Sequence, residues 1–467
     1  MQIYLIDVKK TIFPIFLRIK RSFGLVFPEK NSPMYGNAEK KDVQSFRFLL
    51  CLCYFCERNR KNTINQMERL LFTVLMLLYQ LSSMAQTTLF HTGDETGYPY
   101  RIPAIATAKN GDVIALTDIR PCGMDIGYGH VNILQRVSKD NGQTWGPIET
   151  VLEGSGRGSD CGYGDACLVA DRTHNELLLV CCSGNVPYWQ SKIGKSQRIV
   201  ATHAHLDKQS GVWVWNTPPI DHTAHVFEEL LGNRANGLFM GSGRICQSRK
   251  VKKGKYYRVY GGLCTHIGNF VIYSDDFGRS WHVLGSPTTS PIPKGDEPKC
   301  EELPDGSVLL SSRKAYGRYF NIFRYTDVKQ GNGHWGIPFA SDEMEGGIKN
   351  ESSATNGEVM LVDAIRKSDG RRTCVALQSI PAGPGRQNVT IYWKELRQEE
   401  DWSTPLRFAR NWGGSYQVSH TGSAYSTMTL QKDKAIGFFY EEEPEFYQMI
   451  YRRLTLEEIT NGRYSIK

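Results

Sequence analysis

The sequence predicts an all-β protein, a six-bladed β-propeller of four-stranded antiparallel blades, on three observations. Two octapeptides, Ser138 to Trp145 and Ser274 to Trp281, share the pattern Ser-x-Asp-x-Gly-x-Thr/Ser-Trp. Trp213 stands midway between them, so three tryptophans recur at one interval, 213 − 145 = 281 − 213 = 68 residues. Between these points lie short β-rich runs such as Val113 to Leu116, Phe270 to Tyr273 and Val308 to Leu310, separated by turn residues and without helical periodicity. A fixed period of this length is the mark of a repeat architecture. Residues 86–467 number 467 − 85 = 382, or about 64 per unit for six units, enough for four strands each.

Taken in order, residues 1–66 carry no repeat and read as an extension outside the fold, either an over-extended gene start or a poorly structured segment. Residues 67–85 have the parts of a signal peptide: a short charged start (Met67-Glu68-Arg69), the apolar run Leu70 to Leu81, and small residues Ser83 and Ala85 before Gln86. Cleavage after Ala85 is expected, with a secreted or periplasmic product and no stable membrane span once the signal is removed. The competing readings of the run are a buried core helix or a single anchor, for which it is short. The propeller is expected over 86–467. In each repeat the Asp and Gly suit a tight turn, the carboxylate taking local N–H groups, and the tryptophan is expected to pack beneath its own hairpin. Trp335 and Trp402 continue the series with the Asp and Gly positions eroded.

The formal charge of +8 suggests an acidic partner until it is located. Residues 1–66 hold 12 Lys or Arg against 5 Asp or Glu, a balance of +7, and 67–85 are neutral. That leaves 8 − 7 = +1 for the propeller, so no nucleic-acid partner is expected. Of 12 cysteines three lie upstream of residue 67; the other nine include no Cys-x-x-Cys pair, which argues against a metal site or a dense disulfide framework. No cofactor is expected. Most of the nine fit buried strand positions, as Cys181-Cys182 after Leu177 to Val180 does.

The segments at Asp140 and Asp276 resemble the Asp-boxes of bacterial sialidases, and Tyr100-Arg101-Ile102-Pro103 resembles the motif that precedes the first box in that family. The resemblance runs from about residue 97 to 452. It implies an exo-α-sialidase acting on terminal sialic acids of glycans or glycoconjugates, with retention. Sialic acid carries a carboxylate on its anomeric carbon, so fixed cations are needed and an anionic nucleophile is a poor choice. The resemblance assigns the cations to Arg101, to Arg313 in Leu309-Leu310-Ser311-Ser312-Arg313, and to Arg386 in Gly385-Arg386-Gln387-Asn388, with Arg366, Arg371, Arg372 and Arg397 as rivals for the third place.

The nucleophile it implies is a tyrosine, an exception among glycosidases: Tyr425 in Gly422-Ser423-Ala424-Tyr425-Ser426, activated by a glutamate. Glu297 stands five residues before Glu302-Leu303 and sixteen before Arg313, as the family motif requires; Glu301 competes, with Asp296 behind it. The acid/base is Asp125 on the loop after Arg120, which lines the sugar pocket; Asp118, ending a strand, reads as structural. Asp165 is implied as a further pocket aspartate on the hydroxyl or N-acyl side, and Glu441, first of three glutamates, as the support of Arg101. Cys122, Cys161 and Cys167 fall close to these segments, a departure from the common pattern. A trans-sialidase and a non-catalytic sialic-acid-binding propeller remain the alternatives; the second is expected to lack part of this set.

Overall fold

The structure is a computed structural model that describes residues 86–467 apart from 95, 353, 354 and 445. These fall in the compact unit Leu81–Lys467. The expected extension and signal segment lie outside the described residues.

Six separate sheets follow one another along the chain, the six-bladed propeller that the repeat predicts. Blade one takes Tyr100–Thr107, Val113–Ile119, Asn132–Ser138 and Glu149–Leu152 as successive strands from inner to outer. Blade two takes Tyr163–Ala170, Glu176–Ser183 and Arg198–Leu206, with Trp213–Trp215 and Ile220–Asp221 sharing the fourth place. Blade four comprises Pro298–Glu302, Val308–Lys314, Gly317–Asp327 and Asn332–Trp335; blade five Val359–Arg366, Arg372–Pro381, Val389–Leu396 and Gly414–Gln417. In blade six Ser423–Leu430, Ile436–Glu442 and Gln448–Leu454 are completed by the N-terminal strand Thr87–Phe90, which pairs with the third strand through Thr87↔Tyr451 and closes the ring.

Blade three departs from four regular strands. Its inner strand is broken into Leu238–Met240 and Cys246–Lys253, both paired with Tyr256–Thr265, and Gly268–Ser274 and His282–Val283 complete it. In the gap, Gly243 and Arg244 cross to pair in parallel with Cys167 and Leu168 of blade two. Glycine permits the crossing: Gly243 has φ +104, and a side chain at Gly241 would stand 2.1 Å from the Pro298 carbonyl oxygen.

Inner and second strands are buried on both faces, as in Val113–Ile119, because each sheet packs between two neighbours. The core is therefore a series of layers between blades: Leu178 and Val180 of blade two meet Leu263, Ile272 and Trp281 of blade three. The turns at Asp140 and Asp276 have one hydrogen-bond pattern. The Asp140 carboxylate accepts from Ser138 Oγ (2.8 Å), Gln143 N (3.1 Å), Thr144 N (2.8 Å) and Thr144 Oγ1 (2.6 Å). Asp276 accepts from Ser274 Oγ (2.7 Å), Arg279 N (3.0 Å), Ser280 N (2.8 Å) and Ser280 Oγ (2.6 Å).

The repeated tryptophans do not stay beneath their own hairpins. Trp145 meets Tyr451 of blade six at 4.9 Å between ring centroids, and Trp213 Nε1 donates to Asp112 of blade one at 3.0 Å. Trp335 Nε1 donates to the Leu284 carbonyl of blade three at 2.9 Å. Each indole reaches the seam with the preceding blade, and Trp335 packs at the same time on Phe323 of its own sheet, ring centroids 5.2 Å apart. Trp281 is 1% exposed at such a seam. Trp281→Ala is expected to cost about 3 to 5 kcal/mol of stability, read as a lower denaturant midpoint; an unchanged midpoint contradicts the seam.

Candidate active site

Strands alternate in direction, so the starts of inner strands and the ends of second strands share one end of the propeller. The proposed residues come from those positions. Arg101 opens the inner strand of blade one, Glu297 precedes that of blade four, and Asp165 and Tyr425 stand early in those of blades two and six. Arg313 is near the end of the second strand of blade four; Arg120 with Asp125, and Arg386, lie on second-to-third connections of blades one and five. One cavity of about 280 Å³ is lined by Arg101, Arg120, Asp125, Asp165, Glu297, Arg313, Arg386 and Tyr425.

Local backbone irregularity aims three of them. Strand pairing slips between Arg101 and Ala104, between Gly164 and Cys167, and between Ser423 and Ser426. Such bulges turn a side chain out of the alternating pattern. Ile102 (φ 62) and Asp165 (φ 55) sit in the left-handed region, which costs on the order of 1 to 3 kcal/mol each for such residues. The Ile102 N–H donates to Glu441 Oε1 at 2.8 Å, and the same oxygen accepts from Arg101 Nε at 2.8 Å. Fully buried Glu441 thus secures both the strained backbone and the guanidinium beside it. Of the three consecutive glutamates it is the one that holds Arg101.

At the centre the Tyr425 hydroxyl donates to Glu297 Oε1 at 2.7 Å. Glu297 Oε2 accepts from Arg313 Nη1 at 3.0 Å, and Asp296 lies 3.5 Å from Arg313 Nε. Arg101 and Arg386 stand over the Tyr425 ring, their Cζ atoms 5.8 and 5.6 Å from its centroid. Glu301, the competing glutamate, turns instead to Arg244 at 2.6 Å in the channel wall. Burial pushes the Glu297 carboxyl above its ordinary range, against the pull of Arg313. Burial, and next the neighbouring Glu297 charge, hold the Tyr425 phenol protonated well above pH 10. The pair is therefore a protonated phenol donating to a carboxyl group of raised basicity.

In the same cavity Arg120 gathers three carboxylates: Asp118 at 3.0 Å, Asp125 at 3.1 Å and Asp165 at 3.9 Å. Asp118 is completely buried, and burial raises its carboxyl to about 7. Burial and then the Asp125 and Asp118 charges raise Asp165 as well. Asp125 keeps a side chain 64% exposed, so of the three it is the one open to a ligand and to water. All nine described cysteines are free thiols; Cys122, on the Asp125 loop, is half-buried and the other eight are buried.

The sequence reading missed an aromatic lip. Tyr128, Tyr188, Trp189 and Phe239 line the same cavity with Gln197. Trp189 is 80% exposed, and Tyr188 meets it at 4.9 Å and Phe239 at 5.0 Å between ring centroids. Tyr447 stacks on Arg101 with the cation 5.1 Å from the ring. Apart from Phe239, on the short strand Leu238–Met240, these residues stand outside the strands and none has a local motif; the bare dipeptide Tyr188-Trp189 after a proline was the only signal available.

The propeller thus brings three arginines, a tyrosine–glutamate pair and an aspartate to one cavity. Curated proteins show what the chain is similar to. The chain is 29% identical over 363 residues to a sialidase of Micromonospora viridifaciens, covering 74% of this chain and 50% of that protein. It is 25% identical over 326 residues to a sialidase of Paraclostridium sordellii, covering 66% of this chain and 74% of that protein. The chain is similar to bacterial sialidases, as its motifs led us to expect, and spans about half the length of the Micromonospora protein. No protein-family model matches. Among solved structures, a Hadza microbial sialidase superposes with a TM-score of 0.60 at 19% identity, over 80% of this chain and 69% of that one. The intramolecular trans-sialidase of Ruminococcus gnavus in complex with oseltamivir carboxylate gives 0.60 at 16%, over 80% and 98%. Trypanosoma rangeli sialidase in complex with 2,3-difluorosialic acid, a covalent intermediate, gives 0.59 at 16%, over 81% and 59%. At these identities the likeness speaks for the fold. No helix among the described residues is long and apolar enough to cross a membrane.

Proposed function

We propose that the chain is an exo-α-sialidase, releasing terminal sialic acid from glycans or glycoconjugates with retention. The observation that carries this reading is the 2.7 Å contact from Tyr425 to Glu297 inside a cavity walled by Arg101, Arg313 and Arg386. In this reading the arginines bind the sugar carboxylate through charge-assisted bonds. Asp125 protonates the departing glycosidic oxygen as the C–O bond breaks. Tyr425 attacks the anomeric carbon, its proton passing to Glu297, and a neutral phenol approaches the anionic sugar without the repulsion that a carboxylate would meet. Water, deprotonated by Asp125, then displaces the tyrosine, which recovers its proton from Glu297. Two displacements at one carbon leave its configuration retained.

Residues 86–467 are proposed as the catalytic unit, and export to the periplasm or medium is proposed from the composition of residues 67–85. The test is purified protein with a fluorogenic sialoside, with and without added lactose. Release of free sialic acid in the α form as first product is expected. Transfer to lactose in place of hydrolysis makes the chain a trans-sialidase, and binding without turnover makes it a lectin-like propeller.

A further inference from the structure

Three arginines are buried among the described residues, and two have carboxylate partners: Arg120 with Asp118 at 3.0 Å and Arg258 with Asp275 at 2.7 Å. Arg318 is different. It is 0% exposed and bonds neutral oxygens, donating from Nε to Ser311 Oγ (3.0 Å), from Nη2 to the Ser311 carbonyl (3.1 Å) and from Nη1 to the Thr355 carbonyl (3.4 Å). A buried charge without a counter-charge is costly and is expected only where something else requires it.

Its place suggests what that is. Arg313 is paired directly with Arg318 across two strands of blade four, and its N–H donates to the Glu297 carbonyl at 3.0 Å on the other side. Glu297, Arg313 and Arg318 thus form one rung of the sheet, and directly opposed residues project to the same face. The carboxylate whose charge Arg318 feels most is Glu297. A second link runs through Thr355, whose hydroxyl donates to the carbonyl of Ala424 at 3.2 Å, next to Tyr425. Burial lowers the guanidinium pKa to about 9, so it is cationic at neutral pH.

Resting on the reading of Glu297 as the base for Tyr425, we propose that Arg318 is a positioning residue that the substrate never touches. It keeps the Glu297 carboxylate ionised and aimed at Tyr425 once Arg313 has turned part of its charge to the substrate. Arg313 lines the cavity and is shared between Glu297 and any bound anion; Arg318, sealed from the cavity, offers a constant charge. Other groups facing Glu297 are Asp296, Tyr425, Asp165 from blade two, Tyr188 from the lip and Cys264 from blade three. None of these is a cation, and Arg101 and Arg386, which line the same cavity, are open to a bound anion just as Arg313 is.

The test compares R318Q, which keeps hydrogen-bonding capacity without charge, with R318K, which keeps charge without the fork. Loss of a cation favours protonated Glu297, so the acid limb of the kcat profile for the fluorogenic sialoside should move up by about one pH unit in R318Q. At pH values on that limb kcat should fall roughly tenfold, while the affinity for a carboxylate-bearing sialic acid analogue changes less than about threefold. R318K should hold the limb at its wild-type position. An unmoved limb in R318Q, or equal displacement in both variants, overturns the proposal. Should R318Q not fold, a displaced limb in R318K overturns it and an undisplaced one sustains it. Wild-type protein inert toward the sialoside at every pH defeats the functional reading itself, a result distinct from any of these.

Discussion

Tyr425→Phe is expected to lower sialoside turnover by about a thousandfold or more while leaving the binding of a carboxylate-bearing sialic acid analogue within about threefold of wild type. The hydroxyl is the only atom removed. It is also the proposed reacting atom, held 2.7 Å from Glu297. The ring that remains still faces Arg101 and Arg386, so the cation cage has its aromatic floor. Glu297 loses a donor but keeps Arg313 at 3.0 Å, so the cost to stability should stay within about 1 to 3 kcal/mol and the protein should fold. Kinetics on the fluorogenic sialoside, with calorimetric titration of the analogue, separate the two effects.

Arg313→Ala should fail differently. The substrate carboxylate loses a charge-assisted contact, worth about 1.5 to 3 kcal/mol, which alone weakens substrate and inhibitor alike by roughly 10- to 150-fold. Glu297 and Asp296 lose their cation at the same time. The Glu297 carboxyl, already raised by burial, rises further, and the ionised base that the reaction needs then appears only at higher pH. A joint loss of about 10²- to 10³-fold in kcat/KM is expected, greatest on the acid side, as for a broken buried pair. Unchanged inhibitor affinity would remove Arg313 from the cage.

How much of this was legible in the sequence follows from where each signal is stored. The tryptophan interval and the two Asp turns are written locally, so blade number could be read without long-range information. The site residues were legible where a short motif encloses the residue, as around Arg101, Glu297 and Tyr425. Choosing Glu297 over Glu301 rested on spacing; in the structure Glu301 belongs to Arg244. What stayed hidden needs a neighbouring blade to be seen. The indoles pack on the preceding sheet, Trp189 and Phe239 reach the cavity from different blades, and Arg318 matters only because Arg313 stands opposite it. Backbone signs were hidden too: nothing in Ile102 or Asp165 as residue types announces a left-handed conformation, which Glu441, 339 residues away along the chain, secures at Ile102.

The central claim is that Tyr425 forms a bond to the sugar. It is tested most directly by incubating the protein with a 2,3-difluorinated sialic acid, whose fluorines slow breakdown of a glycosyl–enzyme, and then locating any added mass by peptide mass spectrometry. One sialyl adduct is expected on the peptide containing Tyr425, assigned to its phenolic oxygen and missing in Tyr425→Phe. A stable adduct on another residue, or active protein that turns over the sialoside yet never carries an adduct, would contradict it.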